Sequence, residues 1–445
     1  MVGGLRGFTG AALPPLARVR HMAGAPDSTP PSISVTEHRQ RILDSITQLP
    51  ARLVPLADAL GHTLSVDVHA GVDVPGFDNS AMDGYALRQS DAATASETSP
   101  VTLRVVGDLP AGSALNPRLK PGTAVRIMTG APVPDDADCI VPVEQTDAGL
   151  NSVRIHHAPA LAAHIRRTGT DIRRDELVLP AGRALGAREL AAAAATGIAE
   201  LPVHPAPRVG VLSTGDELKQ PHEPLNRGQI YDSNSVLLAA LVAEAGGVPV
   251  QLGSVPDDNE QLHDFFARNA GRVDAFVTSG GVSVGAFDVV KAVLAPLGVW
   301  FGPVRMQPGK PQGYGQWNHG TPIFALPGNP VSVFVSFEAF VRPALLTMQG
   351  QSDVLRPRIR AVATEDWRSP AGRAQYIPVV MDTAAGTTRV RPASGGGSGS
   401  YLVASLAAAN ALAMIPEDVT EVRAGDIVEV ERLSGGPEGA TLGEL

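Results

Sequence analysis

The chain has 445 residues, which is too long for one ordinary hydrophobic core and predicts two to four domains. Apolar residues make up 44% and charged residues 18%, a composition that excludes a disordered chain. The formal net charge is −9 without any long Lys/Arg run, so non-specific nucleic-acid binding is disfavoured and no nucleic-acid partner is expected.

The ends and the cysteine content narrow the class of protein further. Cys139 is the single cysteine, which excludes an intrachain disulfide and favours a location in a reducing cytoplasm. The apolar neighbours of Cys139 predict that its thiol is half-buried in a strand. No window reaches the 18 consecutive apolar residues of a membrane span, so no membrane association is expected. Residues 1–30 are predicted to be a disordered extension, or a misplaced start, and residues 434–445 a tail.

The first folding signal follows the extension. Ser34 and Glu37 have the spacing of a helix capping box ahead of an apolar stripe of helical period. We assign residues 31–71 and 175–206 to an N-terminal linker domain, and the helix within residues 31–50 belongs either there or against the α/β domain.

Two regions have the pattern of β structure. Residues 72–174 carry short apolar runs punctuated by Pro and Gly, which predicts a β-rich insert domain. Residues 356–433 carry short alternating runs, which predicts a separate C-terminal β domain of barrel-like form.

Residues 207–355 show the regular alternation of an α/β domain. The apolar strands are RVGVLS, VPVQLGSV, DAFVTS and TPIFAL. Helical segments follow them, with Ser233 or Asn234 and Asp257 or Asp258 as expected caps. The fold class is therefore α/β multidomain, with a central doubly wound and mostly parallel sheet.

Unusual loops follow these strands. In open α/β sheets, ligands bind beyond the carboxyl ends of the strands, where loops and helix N-termini meet. The loops are STGDEL (213–218), PDD (256–258), SGGVSVG (279–285), QPGKP (307–311) and LPGNPVS (326–332). Five such loops on one edge of the sheet predict one shared binding site.

The SGGVSVG loop suits a phosphate group. Gly280 and Gly281 offer bare backbone N–H groups, and Ser279 and Ser283 offer hydroxyls, directly ahead of a helix. Glycine loops also serve as plain turns. Because the loop matches neither the Walker A pattern nor the dinucleotide fingerprint, it supports neither a P-loop NTPase nor a Rossmann dehydrogenase.

The two proline-rich loops have different expected uses. In LPGNPVS, Asn329 can cap a helix and Pro330 can take its first position. In QPGKP, the flanking prolines are expected to hold the Lys310 ammonium toward the site.

Carboxylates share this edge with the phosphate-type loops. They are Glu217, Asp232, Asp258 and Asp288, whereas Asp216 is expected only to cap a turn. Carboxylates facing an anionic ligand are unfavourable unless a cation lies between them, which predicts a hard, oxygen-ligated ion such as Mg²⁺. The histidines have no metal-ligand spacing, so zinc hydrolase chemistry is not expected.

The motifs together resemble the MoeA family of molybdopterin molybdenumtransferases, which includes the E domain of gephyrin. The matching stretches, in the family's order, are VPGFDNSAMDGYAL, RIMTGAPVP, GTDI, STGDEL, GQIYDSN, SGGVSVG, PGKP and LPGNPVS. They span residues 34–433, almost everything outside the predicted extension and tail.

The resemblance implies the last step of molybdenum cofactor synthesis. In that step adenylylated molybdopterin is hydrolysed with Mg²⁺ to release AMP, and molybdate is inserted into the dithiolene. The family forms an elongated four-domain homodimer with its active site in a cleft between protomers. The adenylyltransferase that makes the substrate and the apo-molybdoenzymes that receive the product are further possible partners.

The resemblance implies roles for Asp83, Thr129, Asp171, Glu217, Asp232, Asp258, Lys310, Pro327 and Pro330, and the chemistry of the loops adds the other site candidates. The catalytic candidates are Glu217, Asp83, Asp171 and Asp258. The substrate-binding candidates are Thr129, Ser213, Thr214, Gly215, Asp232, Ser279, Gly280, Gly281, Ser283, Lys310, Pro327 and Pro330. The metal candidates are Glu217 and Asp288.

The loop VPGFDNSAMDGYAL contains two aspartates with different expected roles. Asp78 is expected to shape the local turn with Asn79. Asp83 is expected to cross the dimer interface to the partner's active site.

The chain departs from the family pattern where molybdate would bind. Gln307 and Pro303 stand where many relatives have basic residues, and Pro378 stands near a family arginine. Arg305 is a candidate substitute for the missing positive charge.

Two other functions compete with the transferase. A molybdopterin adenylyltransferase shares the α/β domain but normally lacks the regions on either side of it. A non-catalytic scaffold, as in gephyrin, would tolerate loss of the carboxylates, and this chain keeps them all.

Overall fold

The computed structural model describes residues 30–255, 258–282, 288–318, 320–384, 386–395 and 399–433. The candidate site residue Ser283 and the candidate cap Asp257 lie outside the described residues, as do the tail and almost all of the N-terminal extension.

The N-terminal region begins with a capped helix. The Ser34 hydroxyl accepts the Glu37 N–H at 3.1 Å and the Glu37 carboxylate accepts the Ser34 N–H at 2.6 Å, so the predicted capping box is confirmed. Val35 and Ile42 of this helix pack into the core of the α/β region. The elements here are α1 (Val35–Leu43), β1 (Arg52–Pro55), β2 (Thr63–Leu64) and β3 (Val68–His69).

A five-stranded sheet dominates the predicted β-rich region. Its elements are β4 (Asn79–Ser80), β5 (Gly84–Leu87), α2 (Gln89–Ala92), β6 (Val101–Leu109), β7 (Thr123–Ile127), β8 (Cys139–Pro142), β9 (Ser152–Ile155) and β10 (Ile165–Arg166). The strand order is β8-β5-β7-β6-β9, and only β6 and β7 run parallel. Cys139 is fully buried rather than half-buried, because it lies in the core between this sheet and its loops, and burial raises its pKa to about 12.

The chain then returns to the N-terminal region. The returning elements are β11 (Leu177–Leu179), α3 (Ala187–Ala195) and β12 (Glu200–His204). Strand β12 lies between β1 and β2 in an antiparallel sheet, so residues far apart in sequence close one small hydrophobic core.

The central region is the expected α/β domain. Its elements are β13 (Arg208–Thr214), β14 (Leu218–Lys219), β15 (Ile230–Tyr231), α4 (Ser233–Glu244), β16 (Val248–Val255), α5 (Asn259–Asn269), β17 (Ala275–Ser279), α6 (Val289–Leu294), β18 (Trp300–Pro303), β19 (Met306–Gln307), β20 (Pro311–Trp317), β21 (Thr321–Leu326), α7 (Pro330–Ser336) and α8 (Arg342–Met348). The sheet order is β16-β13-β17-β21-β20-β18. The first four strands are parallel, and β20 and β18 are antiparallel because β20 returns to β21 through a connection too short for a crossover.

Two helices of this domain have aspartate caps. The Asp232 carboxylate accepts the Ser235 N–H at 3.0 Å and begins α4, so the prediction of Ser233 or Asn234 as the cap is wrong by one or two residues. Asp258 accepts the Gln261 N–H at 2.8 Å and caps α5, as one of the two predicted candidates.

The last helix of the domain runs through its core. Residues 330–348 form one continuous helix, in which a π-helical segment (Phe337–Val341) joins α7 and α8. Pro330 takes the first helical position as expected, but the Asn329 side chain donates to the Ser400 hydroxyl at 2.9 Å instead of capping the helix. By length and composition this helix could cross a membrane, yet 89% of it is buried inside the protein.

The C-terminal region is a closed barrel. Its elements are β22 (Arg358–Ala363), β23 (Trp367–Arg368), β24 (Ala374–Ala384), β25 (Thr387–Pro392), α9 (Val403–Leu406), β26 (Ala411–Ile415), β27 (Glu421–Val422) and β28 (Ile427–Arg432). Strands β24, β25, β22, β28 and β26 pair in a ring. Strand β19 pairs with β24 from outside this ring, which ties the QPGKP loop to the barrel.

Candidate active site

A cavity of about 1030 Å³ opens at the carboxyl ends of β13, β17 and β21. Four of the five predicted loops meet there, and residues from the C-terminal region close one side. The predicted site residues that line the cavity are Thr214, Gly215, Glu217, Asp232, Ser279, Gly280, Gly281, Asp288, Lys310, Pro327 and Pro330.

Other predicted residues lie elsewhere in the protomer. Ser213 is fully buried beneath the cavity, and Asp258 caps α5 without lining it. The insert residues Asp83, Thr129 and Asp171 also do not line it. A single chain therefore assembles the loops of the α/β domain but does not bring the insert carboxylates to them.

The floor of the cavity is a buried hydrogen-bond chain. The Asp232 carboxylate accepts the Ser213 hydroxyl at 3.1 Å and the Ser235 hydroxyl at 2.7 Å, in addition to the cap bond. The Ser213 hydroxyl lies 3.1 Å from the Ser279 hydroxyl. The chain Asp232, Ser213, Ser279 thus joins the ends of two adjacent parallel strands.

The donor and acceptor in each of these hydrogen bonds follow from the number of protons that the two hydroxyls and the carboxylate carry. A carboxylate only accepts, so Ser213 donates its one proton to Asp232. In the 3.1 Å contact Ser279 must then donate to Ser213, and it presents only lone pairs to the cavity. While the chain is intact, Ser279 acts as an acceptor at this position and not as a donor to an anion.

The glycines of the SGGVSVG loop are required by close packing. Gly280 and Gly281 have φ of +95° and +67°, and a Cβ on Gly281 would lie 2.8 Å from the Val290 side chain. The Gly280 N–H donates to the Leu326 carbonyl at 3.0 Å, so the prediction that it is bare is wrong, because the strand pairing extends one residue further. In the described part of the chain, no acceptor takes the Gly281 N–H.

Two carboxylates line the cavity without belonging to its floor. Glu217 is exposed at the mouth, and Asp288 lies at the start of α6. Among the described residues, no group of three or more His, Cys, Asp or Glu side chains is close enough to hold a metal ion. A pair of carboxylates fits Mg²⁺, which commonly takes one or two protein carboxylates together with phosphate and water oxygens.

Lys310 is held at the cavity by its own loop. Its carbonyl accepts the Val304 N–H at 2.7 Å, and the buried Gln312 amide donates to the Gly309 carbonyl at 2.7 Å. The Lys310 side chain is exposed and forms no ion pair with any described residue. Its positive charge is therefore available to an anionic ligand.

A second cation was missed by the sequence analysis. Arg373 lines the cavity from the barrel, next to the QPGKP loop through the β19–β24 pairing. Arg305, the expected substitute, does not line it, because its guanidinium donates to the Glu417 carboxylate at 2.8 Å and to the Ser32 carbonyl at 3.0 Å. The sequence around Arg373 carries no local signal, since only the pairing of distant strands brings it to this position.

In the insert domain, two predicted residues form one unit. The Asp83 carboxylate accepts both the backbone N–H and the hydroxyl of Thr129, each at 2.7 Å. These bonds, the backbone one first, lower the pKa of Asp83 below its usual value. Asp83 is therefore ionised and oriented at the protein surface.

Asp78 has a different partner from the one expected. Its carboxylate accepts the Thr168 N–H at 2.9 Å and a bond from the Arg167 guanidinium. Asn79 instead donates to the Phe77 carbonyl at 3.2 Å. Asp78 thus joins two distant loops rather than shaping its own turn, and these bonds lower its pKa.

Family models match most of the chain. The model for the MoeA N-terminal region (domain I and II) matches residues 33–197, that for a probable molybdopterin binding domain residues 210–347, and that for the MoeA C-terminal region (domain IV) residues 360–433. The chain belongs to the MoeA family.

Similar proteins agree with this membership. Molybdopterin molybdenumtransferase 2 of Mycobacterium tuberculosis is 46% identical over 404 residues, which are 89% of this chain and 98% of that protein. Molybdopterin molybdenumtransferase 1 of the same species is 35% identical over 90% of this chain and 99% of its own length. A crystal structure of a molybdopterin biosynthesis MoeA protein from Pyrococcus horikoshii OT3 has a TM-score of 0.76 at 30% identity, covering 91% of this chain and 100% of that one.

Membership of the MoeA family confirms two expectations. The multidomain α/β architecture with a C-terminal barrel is that of the family, and the chain is an enzyme of the transferase class. The individual roles assigned to the site residues stay predictions.

Proposed function

We propose that this protein is the molybdenum insertase of molybdenum cofactor synthesis. Its substrates are adenylylated molybdopterin and molybdate, and its products are AMP and the molybdenum cofactor. The observation that carries the proposal is the cavity itself, where a glycine loop, two carboxylates and two cations unpaired within the described chain converge. The names of the relatives, molybdopterin molybdenumtransferase, support the same activity.

Each cavity residue has its own role in the hydrolysis of the phosphoanhydride. The Gly281 N–H is available to a phosphate oxygen, and the Lys310 ammonium offsets charge as the bond to AMP breaks. Glu217 and Asp288 would hold Mg²⁺, which when bound neutralises phosphate charge and lowers the pKa of a water ligand. Water adds to the phosphorus atom on the molybdopterin side, and the bond from that atom to the bridging oxygen breaks. AMP leaves with the bridging oxygen, and the proton of the attacking water is released to solvent.

Molybdate requires positive charge of its own. Arg373 and Lys310 approach the cavity from the barrel and from the QPGKP loop, and neither forms an ion pair within the described chain. A guanidinium presents paired donors that suit a tetrahedral oxyanion. Arg373 thus offers the charge that Gln307 lacks.

The insert carboxylates enter the proposal through a homodimer. Asp83 and Thr129 form an ordered, ionised unit that lies away from the cavity of its own chain. In a cytoplasmic homodimer with a shared cleft, this unit would complete the site of the partner.

A molybdate-dependent AMP assay tests the proposal. Purified protein with adenylylated molybdopterin, Mg²⁺ and molybdate should release AMP and yield cofactor that activates an apo-molybdoenzyme. Glu217→Gln should reduce the rate by about 100-fold or more with unchanged thermal unfolding, because the Glu217 side chain is exposed and forms no hydrogen bond or ion pair within the described chain. A well-folded wild type without molybdate-stimulated AMP release would refute the proposal.

Neither competing function has an observation of its own in support. An adenylyltransferase normally lacks the regions matched here at residues 33–197 and 360–433. A scaffold would need no intact cavity, whereas this chain keeps the carboxylates and the lysine around one.

A further inference from the structure

Large exposed side chains surround the mouth of the cavity. Tyr231 and Ile230 are 45% and 55% exposed, and Tyr401 is 72% exposed. All three line the cavity, together with Val403. Aromatic residues are few in this protein, at 4% of the chain, so two exposed tyrosines at one polar cavity call for an explanation.

Both tyrosines are anchored to the same short loop. Asn234, three residues after Tyr231, donates its side-chain amide to the Gly328 carbonyl at 2.7 Å. Ser400, immediately before Tyr401, accepts a hydrogen bond from the Asn329 side chain at 2.9 Å. The two anchors use adjacent residues of the loop, so the two tyrosine-bearing segments border the same opening.

The anchoring fixes the backbones and leaves the rings accessible. The Ser400 carbonyl accepts the Val331 N–H at 3.0 Å, which ties the Tyr401 segment to the first turn of α7. Tyr231 ends β15, which pairs with β14 at the end of the STGDEL loop. Ordered backbones with exposed aromatic rings are the arrangement that stacks planar heteroaromatic groups.

We propose that Tyr231 and Tyr401 form a ring-binding subsite at the cavity mouth, which takes a planar heteroaromatic group while the glycine loop and Lys310 take the attached phosphates. This subsite deepens the proposed function, because it names the residues that select a ring-bearing phosphate ester over inorganic phosphates. The ring is a purine or a pterin, and both stack through the same π faces.

Calorimetric titration distinguishes the contribution of the ring to binding from that of the phosphates. The probes are AMP, 6-hydroxymethylpterin and inorganic pyrophosphate, each with Mg²⁺. Tyr231→Ala and Tyr401→Ala should each weaken binding of the ring-bearing probe by about 10-fold, which is a typical effect of losing one stacking contact. Pyrophosphate binding should stay within about twofold of wild type, because pyrophosphate has no ring to stack. Weaker binding of AMP alone identifies a purine subsite, and weaker binding of 6-hydroxymethylpterin alone identifies a pterin subsite.

Three controls make the result decisive. Tyr231→Phe and Tyr401→Phe keep the ring and should retain wild-type affinity. Leu355→Ala removes a side chain of matched exposure, 46%, away from the cavity, and should change nothing. Because the tyrosines are exposed, the alanine variants should unfold at the wild-type temperature.

The subsite is overturned if the alanine variants bind both ring probes as tightly as wild type does, or if they lose as much affinity for pyrophosphate as for the ring probes. It is also overturned if the phenylalanine variants lose affinity for the ring probes. If wild type binds neither AMP nor pyrophosphate, the proposed function is at fault, and the subsite is judged on the pterin alone. No pterin binding in that case overturns the subsite too.

Discussion

A single buried proton sets what the cavity floor offers to a ligand. Ser213 is fully buried, and its donation to Asp232 forces Ser279 to direct its own proton inward. The sequence marks Ser279 as a phosphate donor because a hydroxyl after a strand is a good candidate. Only the hydrogen bonds of the neighbouring Ser213 show that Ser279 presents an acceptor, and not a donor, to the cavity.

Ser213→Ala should reverse that polarity. Without Ser213, the Ser279 proton is free to turn toward the cavity and donate to an anion, so pyrophosphate affinity should rise by about fivefold. The loss of the two buried hydrogen bonds of the Ser213 hydroxyl should lower the free energy of unfolding by about 1–3 kcal/mol. Titration calorimetry and chemical denaturation measure the two effects.

The matched control is Ser279. Ser279→Ala in the wild-type background should leave pyrophosphate affinity unchanged, and the double variant should lose the gain made by Ser213→Ala. Equal pyrophosphate affinity in wild type and Ser213→Ala would contradict the assigned direction.

At the scale of elements, the core helix 330–348 depends on one buried ion pair. Glu338 lies in its π-helical segment and accepts two bonds from the Arg356 guanidinium, at 2.8 and 3.1 Å. The side chains are only 4% and 11% exposed. Burial, with Glu338 as a nearby negative charge, also raises the pKa of Glu244 and of Glu431, so the cluster joins α4, this helix and the barrel.

Arg356→Met should strongly destabilise the fold. It leaves the Glu338 carboxylate buried without its guanidinium, at a cost of about 3–5 kcal/mol in the free energy of unfolding. Arg154→Met is the matched control, because the side chains of the Arg154–Asp147 pair, 2.9 Å apart, are 59% and 27% exposed and the pair should contribute at most about 1 kcal/mol.

Urea denaturation of both variants, together with Arg356→Met/Glu338→Leu, measures the difference. The double variant should recover part of the lost stability, since the Glu338 carboxylate is no longer buried without its guanidinium. Similar losses for Arg356→Met and Arg154→Met would show that the buried pair does not stabilise the helix.

The whole molecule raises the question of how Asp83 reaches an active site. It does not line the cavity of its own chain, although the family resemblance assigns it a catalytic role. A site shared between two protomers resolves this conflict, because each cavity would receive Asp83 from the other subunit.

Complementation between inactive variants tests the shared site. Asp83→Asn and Glu217→Gln are each expected to be inactive. Mixed dimers would contain one intact site, with Asp83 from one subunit and Glu217 from the other, so refolding the two together should restore about a quarter of wild-type AMP release.

Each variant refolded alone is the control and should remain inactive, and light scattering should give a dimer in every sample. An inactive mixture of dimers would place both residues in one protomer's site, and a monomer would remove the shared cleft.

Local patterns along the chain were enough to predict the classes of elements and the loops that carry chemistry. The capping box at Ser34, the strand and helix alternation from Arg208 and the meeting of four loops at one edge follow from local patterns and from the geometry of parallel sheets. Family motifs supplied the activity, because they are long and occur in order.

Contacts between distant elements determine which side chains complete the cavity and which atoms each of them presents to a ligand. Arg373 reaches it through a pairing between strands 68 residues apart, Met306 with Ala374, that no local period encodes. Asp78 binds Thr168, and Ser279 donates its proton to Ser213 and not toward the cavity, because their partners come from distant elements. Local sequence specifies backbone propensity and periodicity, whereas the partner of a polar side chain is set by the fold that brings distant residues together.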